Sequence, residues 1–319
     1  MVDINTSEAS EQSTPAINPV DVLAVTAAAT DTTELTSGRN ELQPGNHWNS
    51  QNFDDADSAH GHDAESSTAS ISSTILKYRT VNGRTYHSDI ATNQYCDFAD
   101  EHPEAVVIGT DLSPIQPKWV PPNVRFEIED LTQSWTFEEN SIDYVHMRWL
   151  IGCVSDWTVL FKEAYRVLKP GGWIETYESD GILESDDGTV TEKSATGQWG
   201  HIFREGAKKM GSKASFSVVA DHVQKASLVE AGFTSINEFP LKTPISEWSE
   251  TPKLKEVGQF SRAVWESDTR GLMGYNANLL GWSSEELTVY CAQLRREMRG
   301  LKVHAYYKSN VVWAQKPHA

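Results

Sequence analysis

The sequence predicts an α/β fold, in which helices flank a mostly parallel β-sheet, preceded by a disordered tail. Short apolar runs that end in polar turns alternate with segments of helical periodicity, and this alternation is typical of such a sheet. The tail is predicted because residues 1–70 carry few large apolar side chains and show no sustained periodicity. The chain is therefore divided into a tail, 1–70, and a folded domain, 71–319.

The tail is strongly acidic. Residues 1–75 hold 12 acidic residues and a single base, Arg39, in a chain whose net charge is −18. A segment of this composition cannot bury enough apolar surface to offset its ordering entropy, so it is predicted to be disordered. No cluster of Lys and Arg is present to neutralise phosphates, which argues against direct DNA binding.

Cysteine use and hydropathy favour a reducing compartment. Cys96, Cys153 and Cys291 lack the spacing of a disulfide framework or a zinc site, so no metal site is predicted. No apolar run is long enough to span a bilayer, and residues 1–10 lack the features of a secretory signal. We therefore expect a cytoplasmic and/or nuclear location without membrane contact.

Three strands are predicted in the first half of the folded domain. Residues 105–113 form an apolar run that ends in a polar turn, as a buried parallel strand does. Residues 123–131 alternate apolar and polar side chains, and residues 141–150 form a third candidate. Because ligands bind beyond the carboxyl ends of strands in open α/β sheets, polar residues at these ends are candidate site residues.

The clearest predicted helix has Asp156 as its N-cap and ends before the turn at 169–172. Its apolar side chains lie on one face. A capping box formed by Ser283 and Glu286 starts the last predicted helix, and Gly300 ends it. Further helices are predicted over 194–210 and 218–231, and strands over 173–178, 235–244 and 303–316.

Two acidic residues stand at the ends of the first two strands. Asp111 could accept hydrogen bonds from both hydroxyls of a ribose, and Asp130, 19 residues later, could bind an adenine amino group while Leu131 covers the ring. Taken singly, each is as well explained as a cap or loop residue. Residues 146–149, which end the third strand, could meet the rest of a cofactor and a substrate, or serve packing alone.

The order VIGTDLS, EDL, IDYVHMRWL and VLKPGGWIE resembles that of class I S-adenosylmethionine (SAM) dependent methyltransferases. The resemblance is closer still to the fungal LaeA-like group, also called TAM-domain methyltransferases, and covers nearly everything after the tail. The matching segments are 83–95, 98–131, 148–152, 156–157, 163–175, 231–233, 279–287 and 304–317.

The resemblance implies a Rossmann-like sheet, SAM as cofactor, and methyl transfer to a protein or small molecule. Members of the group regulate secondary metabolism and development, in some cases with velvet-type regulatory proteins in the nucleus, or methylate small molecules in biosynthetic pathways. The resemblance names no catalytic base. It implies cofactor contacts from Asp111, Leu112, Asp130, Leu131, His146 and Arg148, and substrate or lid roles for Tyr86, His87 and Trp149.

One part of the family pattern is missing. Class I members carry a strand and a glycine-rich turn, E/D-x-G-x-G-x-G, about 20 residues before the ribose-binding acid, but residues 84–108 contain no glycine. Only glycine lets the backbone approach a cofactor so closely. The first βα unit is therefore predicted to be missing, which would expose strand edges and remove much of the cofactor site.

Two functional hypotheses follow from this departure. The first is a LaeA-like methyltransferase, in a chain that binds SAM poorly or not at all. The alternative is a non-catalytic interaction protein that keeps the methyltransferase fold and has lost cofactor binding. A nicotinamide-dependent dehydrogenase is disfavoured because no GxGxxG follows the first strand.

Overall fold

The computed structural model describes residues 42–49, 79–81, 84–86, 94–112, 116 and 120–318. The helices are α1 (Asn46–Asn49), α2 (Gln94–Glu101), α3 (Trp157–Val167), α4 (Ala195–Lys209), α5 (Val223–Ala231), α6 (Pro252–Ser267), α7 (Thr269–Leu279) and α8 (Ser284–Arg299). The strands are β1 (Arg79–Val81), β2 (Arg84–Tyr86), β3 (Val107–Asp111), β4 (Val124–Ile128), β5 (Ile142–Arg148), β6 (Leu168–Glu184), β7 (Thr234–Pro244) and β8 (Tyr306–Gln315).

The strands form three separate sheets. The hairpin β1–β2 is antiparallel, β3 and β4 form a parallel pair, and the third sheet has the order β5-β6-β8-β7. In the third sheet β5 runs parallel to β6, whereas β8 is antiparallel to both of its neighbours. The predicted α/β class is confirmed, and the exceptions to its parallel character are β8 and the β1–β2 hairpin.

The sheet is divided between β3 and β5. Among the described residues β3 pairs only with β4, and β5 pairs only with β6, so each of these parallel strands has one edge without a strand partner. Parallel strands are normally buried on both faces, yet Tyr144 of β5 and Leu112 at the end of β3 are exposed. This is the position at which loss of the first βα unit was predicted to expose strand edges.

One face of the four-stranded sheet is covered by α3 and α5. Asp156 caps α3, its side chain accepting from the Val159 N–H at 3.1 Å, and the buried side chains of that helix pack with Ile174 and Val312 of the sheet. Helix α5 begins at Val223, later than the predicted residue 218, because His222 adopts a left-handed conformation with φ of 52°.

A second apolar cluster joins α4, α7 and α8 to the carboxyl half of β6 and to β8. The capping box of α8 is present, with Ser283 accepting from the Glu286 N–H. Residues 252–279, for which no element was predicted, form α6 and α7. None of the helices in the described part of the chain is long and apolar enough to cross a membrane.

Part of the predicted tail is packed against this second cluster, so the prediction of a wholly disordered segment 1–70 is wrong at residues 42–49. Trp48 is only 1% exposed and contacts Tyr290 of α8 with a ring-centroid distance of 4.9 Å. The Gln43 N–H donates to the side chain of Gln198 at 2.8 Å. The boundary at residue 70 lies outside the described residues.

Candidate functional site

The carboxyl ends of β3 and β4 lie side by side. The two strands pair in parallel, with Asp111 opposite Ile128, and Asp130 follows Ile128 by two residues. The two carboxylates therefore stand at the same edge of this sheet, as the ribose and adenine roles require. Asp111 and Leu112 are exposed, Leu112 by 68%.

Asp130 is held in a local turn. Its Oδ1 accepts hydrogen bonds from the hydroxyl and the backbone N–H of Thr132, at 2.7 and 2.9 Å, and these bonds lower its pKa. Leu131 packs against the apolar cluster of α3, and its carbonyl accepts from the Trp135 indole N–H at 3.2 Å. The turn geometry also fits a loop aspartate, so the adenine role of Asp130 and Leu131 stays a prediction.

Strand β5 carries the second group of predicted residues. His146 and Arg148 lie on one face of the sheet, each beside its register partner on β6. The Nδ1 of His146 is 3.1 Å from Oε1 of Glu175, and the guanidinium of Arg148 lies over the Tyr177 ring, 5.0 Å from its centroid. Met147 points to the opposite face and is buried against α3.

Trp149 follows directly after β5 in an unusual conformation. Its φ of 59° lies in the left-handed region, which bulky side chains rarely adopt. The indole is 45% exposed and contacts the ring of Tyr307 in a T-shaped arrangement, with a centroid distance of 5.9 Å. An exposed aromatic residue on a strained backbone at a strand end is a candidate site residue.

The loop after β5 is clamped to β6 by three consecutive backbone N–H groups. Trp149 donates to the Tyr177 carbonyl at 3.1 Å, while Leu150 and Ile151 donate to the two carboxylate oxygens of Glu178, each at 3.0 Å. Glu178 is 0% exposed. Burial raises the pKa of Glu178 to about 7, against the opposing effect of its two backbone hydrogen bonds.

Replacing Glu178 with Gln should change how stability depends on pH. Between pH of about 4.5 and 7 the folded protein holds a proton on Glu178 that the unfolded chain releases, so the free energy of unfolding falls as pH rises. The loss should reach about 3 kcal/mol across this window and be absent in Glu178→Gln. Urea unfolding from pH 4.5 to 7.5 measures it, and parallel curves for the two proteins would contradict the expectation.

The predicted site residues are thus distributed over two sheets. Asp111, Leu112, Asp130 and Leu131 belong to the β3–β4 pair, while His146, Arg148 and Trp149 belong to the four-stranded sheet. Tyr86 is the last residue of β2, and His87 lies outside the described residues.

The residues present fit only half of SAM. Asp111 and Asp130 would supply the acceptors that the predicted ribose and adenine contacts need. Within 94–112 the single glycine, Gly109, lies inside β3, so this described stretch supplies no glycine-rich turn for the methionine half.

Two residues of this region escaped the sequence analysis. Glu178 was seen only as part of the predicted strand 173–178, and Tyr307 only as part of 303–316. Glu178 gave no clear signal, because the strand 173–178 also contains Glu175 and Thr176, and only the structure shows that the Glu178 carboxylate is buried with hydrogen-bond partners. Tyr307 gave no clear signal either, since buried tyrosines are common in cores.

Comparisons with known proteins agree on one family. The family profile described as a methyltransferase domain matches residues 90–175. Methyltransferase pytC of Aspergillus terreus is 35% identical over 224 residues, which cover 69% of this chain and 67% of pytC. The secondary metabolism regulator LAE1 of Cochliobolus heterostrophus is 31% identical over 225 residues, which cover 69% of this chain and 72% of LAE1.

A further relative and a solved structure complete the comparison. The secondary metabolism regulator laeA of Aspergillus fumigatus is 31% identical over 245 residues, covering 75% of this chain and 64% of laeA. A Haemonchus contortus phosphoethanolamine N-methyltransferase 2 in complex with S-adenosyl-L-methionine aligns with a TM-score of 0.39 and 19% identity, over 70% of this chain and 46% of that one. The relatives thus carry two kinds of name, methyltransferase and regulator.

Proposed function

Since this chain belongs to the fungal LaeA-like family of class I SAM-dependent methyltransferases, we propose that its acidic strand ends hold the nucleoside of SAM and that its methyl acceptor binds at the end of β5. The register of β3 and β4 carries the proposal, because it brings Asp111 and Asp130 to one edge. Asp111 would bind the ribose hydroxyls, and Asp130 the adenine. SAM supplies the electrophilic methyl group, while Arg148 and Trp149 would orient the acceptor.

The cellular role that we propose is in fungal secondary metabolism, either as a regulator or as a pathway enzyme. The names of LAE1 and laeA, both secondary metabolism regulators, support the regulatory role, and the name of methyltransferase pytC supports an enzyme. A velvet-type regulatory protein is the partner that we propose for the regulatory role, in the cytoplasm or nucleus. The acidic N-terminal segment, 1–75, supports an interaction role of this kind.

A second candidate function is a non-catalytic interaction protein on the same fold. The division of the sheet between β3 and β5 favours it, because in the described part of the chain no strand lies between them to carry a backbone turn for the cofactor's methionine half. In this case the chain would bind a partner protein or ligand without transferring a methyl group.

Isothermal titration with SAM distinguishes the two functions. We expect a dissociation constant of about 1 mM, equivalent to about −4 kcal/mol, because only the nucleoside half finds its partners. Saturable binding that is lost in Asp111→Asn supports the cofactor site. Asp100→Asn, which changes an exposed acid of α2, is the matched control and should bind SAM as the unchanged chain does.

Two outcomes of this titration decide against parts of the proposal. Micromolar affinity for SAM would show that the missing turn is not needed, contrary to our expectation. No heat of binding up to several millimolar SAM would reject the nucleoside site and favour the interaction protein.

A further inference from the structure

We propose that a cavity between α7 and the start of α8 binds a free α-amino acid with a large apolar side chain. The cavity is lined by residues of these two helices, of their N-caps and of the turn that joins them. Its volume is about 530 Å³, within the range of about 300–1,000 Å³ that small-molecule sites occupy. The site is separate from the strand ends of the proposed function, so neither proposal depends on the other.

The floor of the cavity is apolar. Ala277 and Leu287, which line it, are buried, with exposed fractions of 1% and 7%. Gly274 lines it as well, and a Cβ there would meet only the side chain of Leu287, at 3.9 Å. The small residues of α7 thus leave open space above an apolar surface, which an apolar side chain can fill.

Trp282 gives the cavity a rigid aromatic wall. The residue lines the cavity and is half-buried. Its ring contacts those of Trp48 and Tyr290, with centroid distances of 6.5 and 5.5 Å, and both of these rings are buried. Its backbone N–H donates to the Ala277 carbonyl at 3.0 Å. A wall fixed by these contacts loses little entropy when an apolar side chain packs on it.

Arg270 supplies an oriented positive charge at the cavity. Its Nη1 donates to the hydroxyl of Thr288 at 2.6 Å and its Nη2 to that of Ser284 at 2.7 Å, so two bonds to α8 fix the position of the guanidinium. Both partners are neutral, and they use two of the five N–H donors. Within the described part of the chain Arg270 forms no ion pair. A ligand carboxylate can bind to the remaining donors.

Asp268 supplies a negative charge at the same cavity. As the N-cap of α7 its Oδ1 accepts from the Gly271 N–H at 2.8 Å, and the second oxygen can accept from an ammonium group. Of the described residues that line the cavity, only Asp268 and Arg270 are charged, and no ion pair joins them. A plain acid would meet the charge of Asp268, and a plain amine that of Arg270. A zwitterion matches both.

Saturation-transfer NMR titration of the full chain with L-phenylalanine, in the absence of SAM, tests the proposal. We expect saturable binding at least about tenfold tighter than that of 3-phenylpropionate, which lacks the ammonium group, or of phenethylamine, which lacks the carboxylate. A hydrogen bond to a charged group contributes on this scale. Equal affinities for L-phenylalanine and 3-phenylpropionate, or no saturable binding of L-phenylalanine by tens of millimolar, would overturn the inference.

Two variants separate the charges. Arg270→Gln should weaken L-phenylalanine about tenfold and change the affinity for phenethylamine less than threefold. Asp268→Asn keeps a residue that caps helices well, and it should weaken L-phenylalanine about tenfold without weakening 3-phenylpropionate. Arg125→Gln is the matched control, since it changes an exposed arginine of β4 that pairs with Glu127 away from the cavity. Equal losses in Arg270→Gln and Arg125→Gln would contradict the proposal.

A third variant tests the location of the site. Gly274→Leu places a side chain in the open space beside Leu287 and should abolish binding of L-phenylalanine. Circular dichroism checks that each variant is folded. Unchanged binding in folded Gly274→Leu would place the ligand elsewhere and reject the cavity as its site.

Discussion

Inserting a β-strand followed by the family's E/D-x-G-x-G-x-G turn between Tyr95 and Phe98 should raise the affinity for SAM at least 100-fold. The inserted strand would pair with the open edges of both β3 and β5 and join the two sheets. The turn would supply the close backbone approach that the methionine half of SAM needs. A gain of about 3 kcal/mol in binding free energy corresponds to this factor, and isothermal titration measures it.

A second insertion separates the strand from the turn. The same segment with its glycines changed to alanine keeps the strand but blocks the close approach of the backbone. We expect this control to raise the melting temperature, because it covers two open edges, without raising SAM affinity more than a few fold. Equal SAM affinity for the two insertions would show that the sheet, and not the glycine turn, limits cofactor binding.

Replacing Gly258 with Ala should destabilise the protein by about 3 kcal/mol or more. Gly258 is the one buried residue of α6, and a Cβ there would overlap the backbone carbonyl of Ser246. Backbone cannot give way as a side chain can, so α6 would have to separate from the segment that follows β7. Urea unfolding of the two proteins gives the difference in the free energy of unfolding.

Gly274→Ala is the matched control, since it also changes a helical glycine. Around Gly274 of α7 a Cβ would meet only the side chain of Leu287, at 3.9 Å, which is ordinary contact. This change should stabilise the protein by up to about 1 kcal/mol, because alanine favours the helix over the unfolded chain. Similar losses in both variants would mean that helix propensity, and not the close contact at Gly258, decides the effect.

The elements predicted from sequence are those with local signals. Asp156 and the Ser283–Glu286 capping box mark helix starts by side-chain chemistry that needs no tertiary partner, and both helices form. Helix α6 has a start signal in Thr251 and Pro252 but a weak apolar pattern, because it turns a glycine to the core and leaves Leu254 and Val264 exposed. Helix α7 contains two glycines and two asparagines, which disfavour a helix on propensity alone.

Long-range packing explains the remaining differences. Trp48 lies in a polar segment with no periodicity, and only the cavity offered by α8 and Trp282 makes its burial favourable. The strand predicted over 173–178 extends to Leu168–Glu184, because β5 pairs with it at Leu168 and β8 pairs with it well beyond residue 178.

The sequence could predict those site residues that lie at the ends of predicted strands. Asp111 and Arg148 were placed at strand ends because apolar runs end there, and the structure has both at those ends. The clamp by Glu178 was not predictable, since it depends on a parallel register between β5 and β6 that no local pattern encodes. The left-handed conformation of Trp149 depends on the same hydrogen bonds, so it could not be predicted from the sequence either.

The open edges of β3 and β5 also bear on how the purified protein should behave. Among the described residues, each has one edge whose backbone groups pair with no strand, and such an edge can pair with an extended chain, including another molecule of the same protein. Self-association should therefore increase with concentration, and added salt should do little to reverse it, because backbone hydrogen bonding carries no net charge to screen. We therefore expect titrations made in dilute solution to report on single molecules, and concentrated samples to report on associated ones.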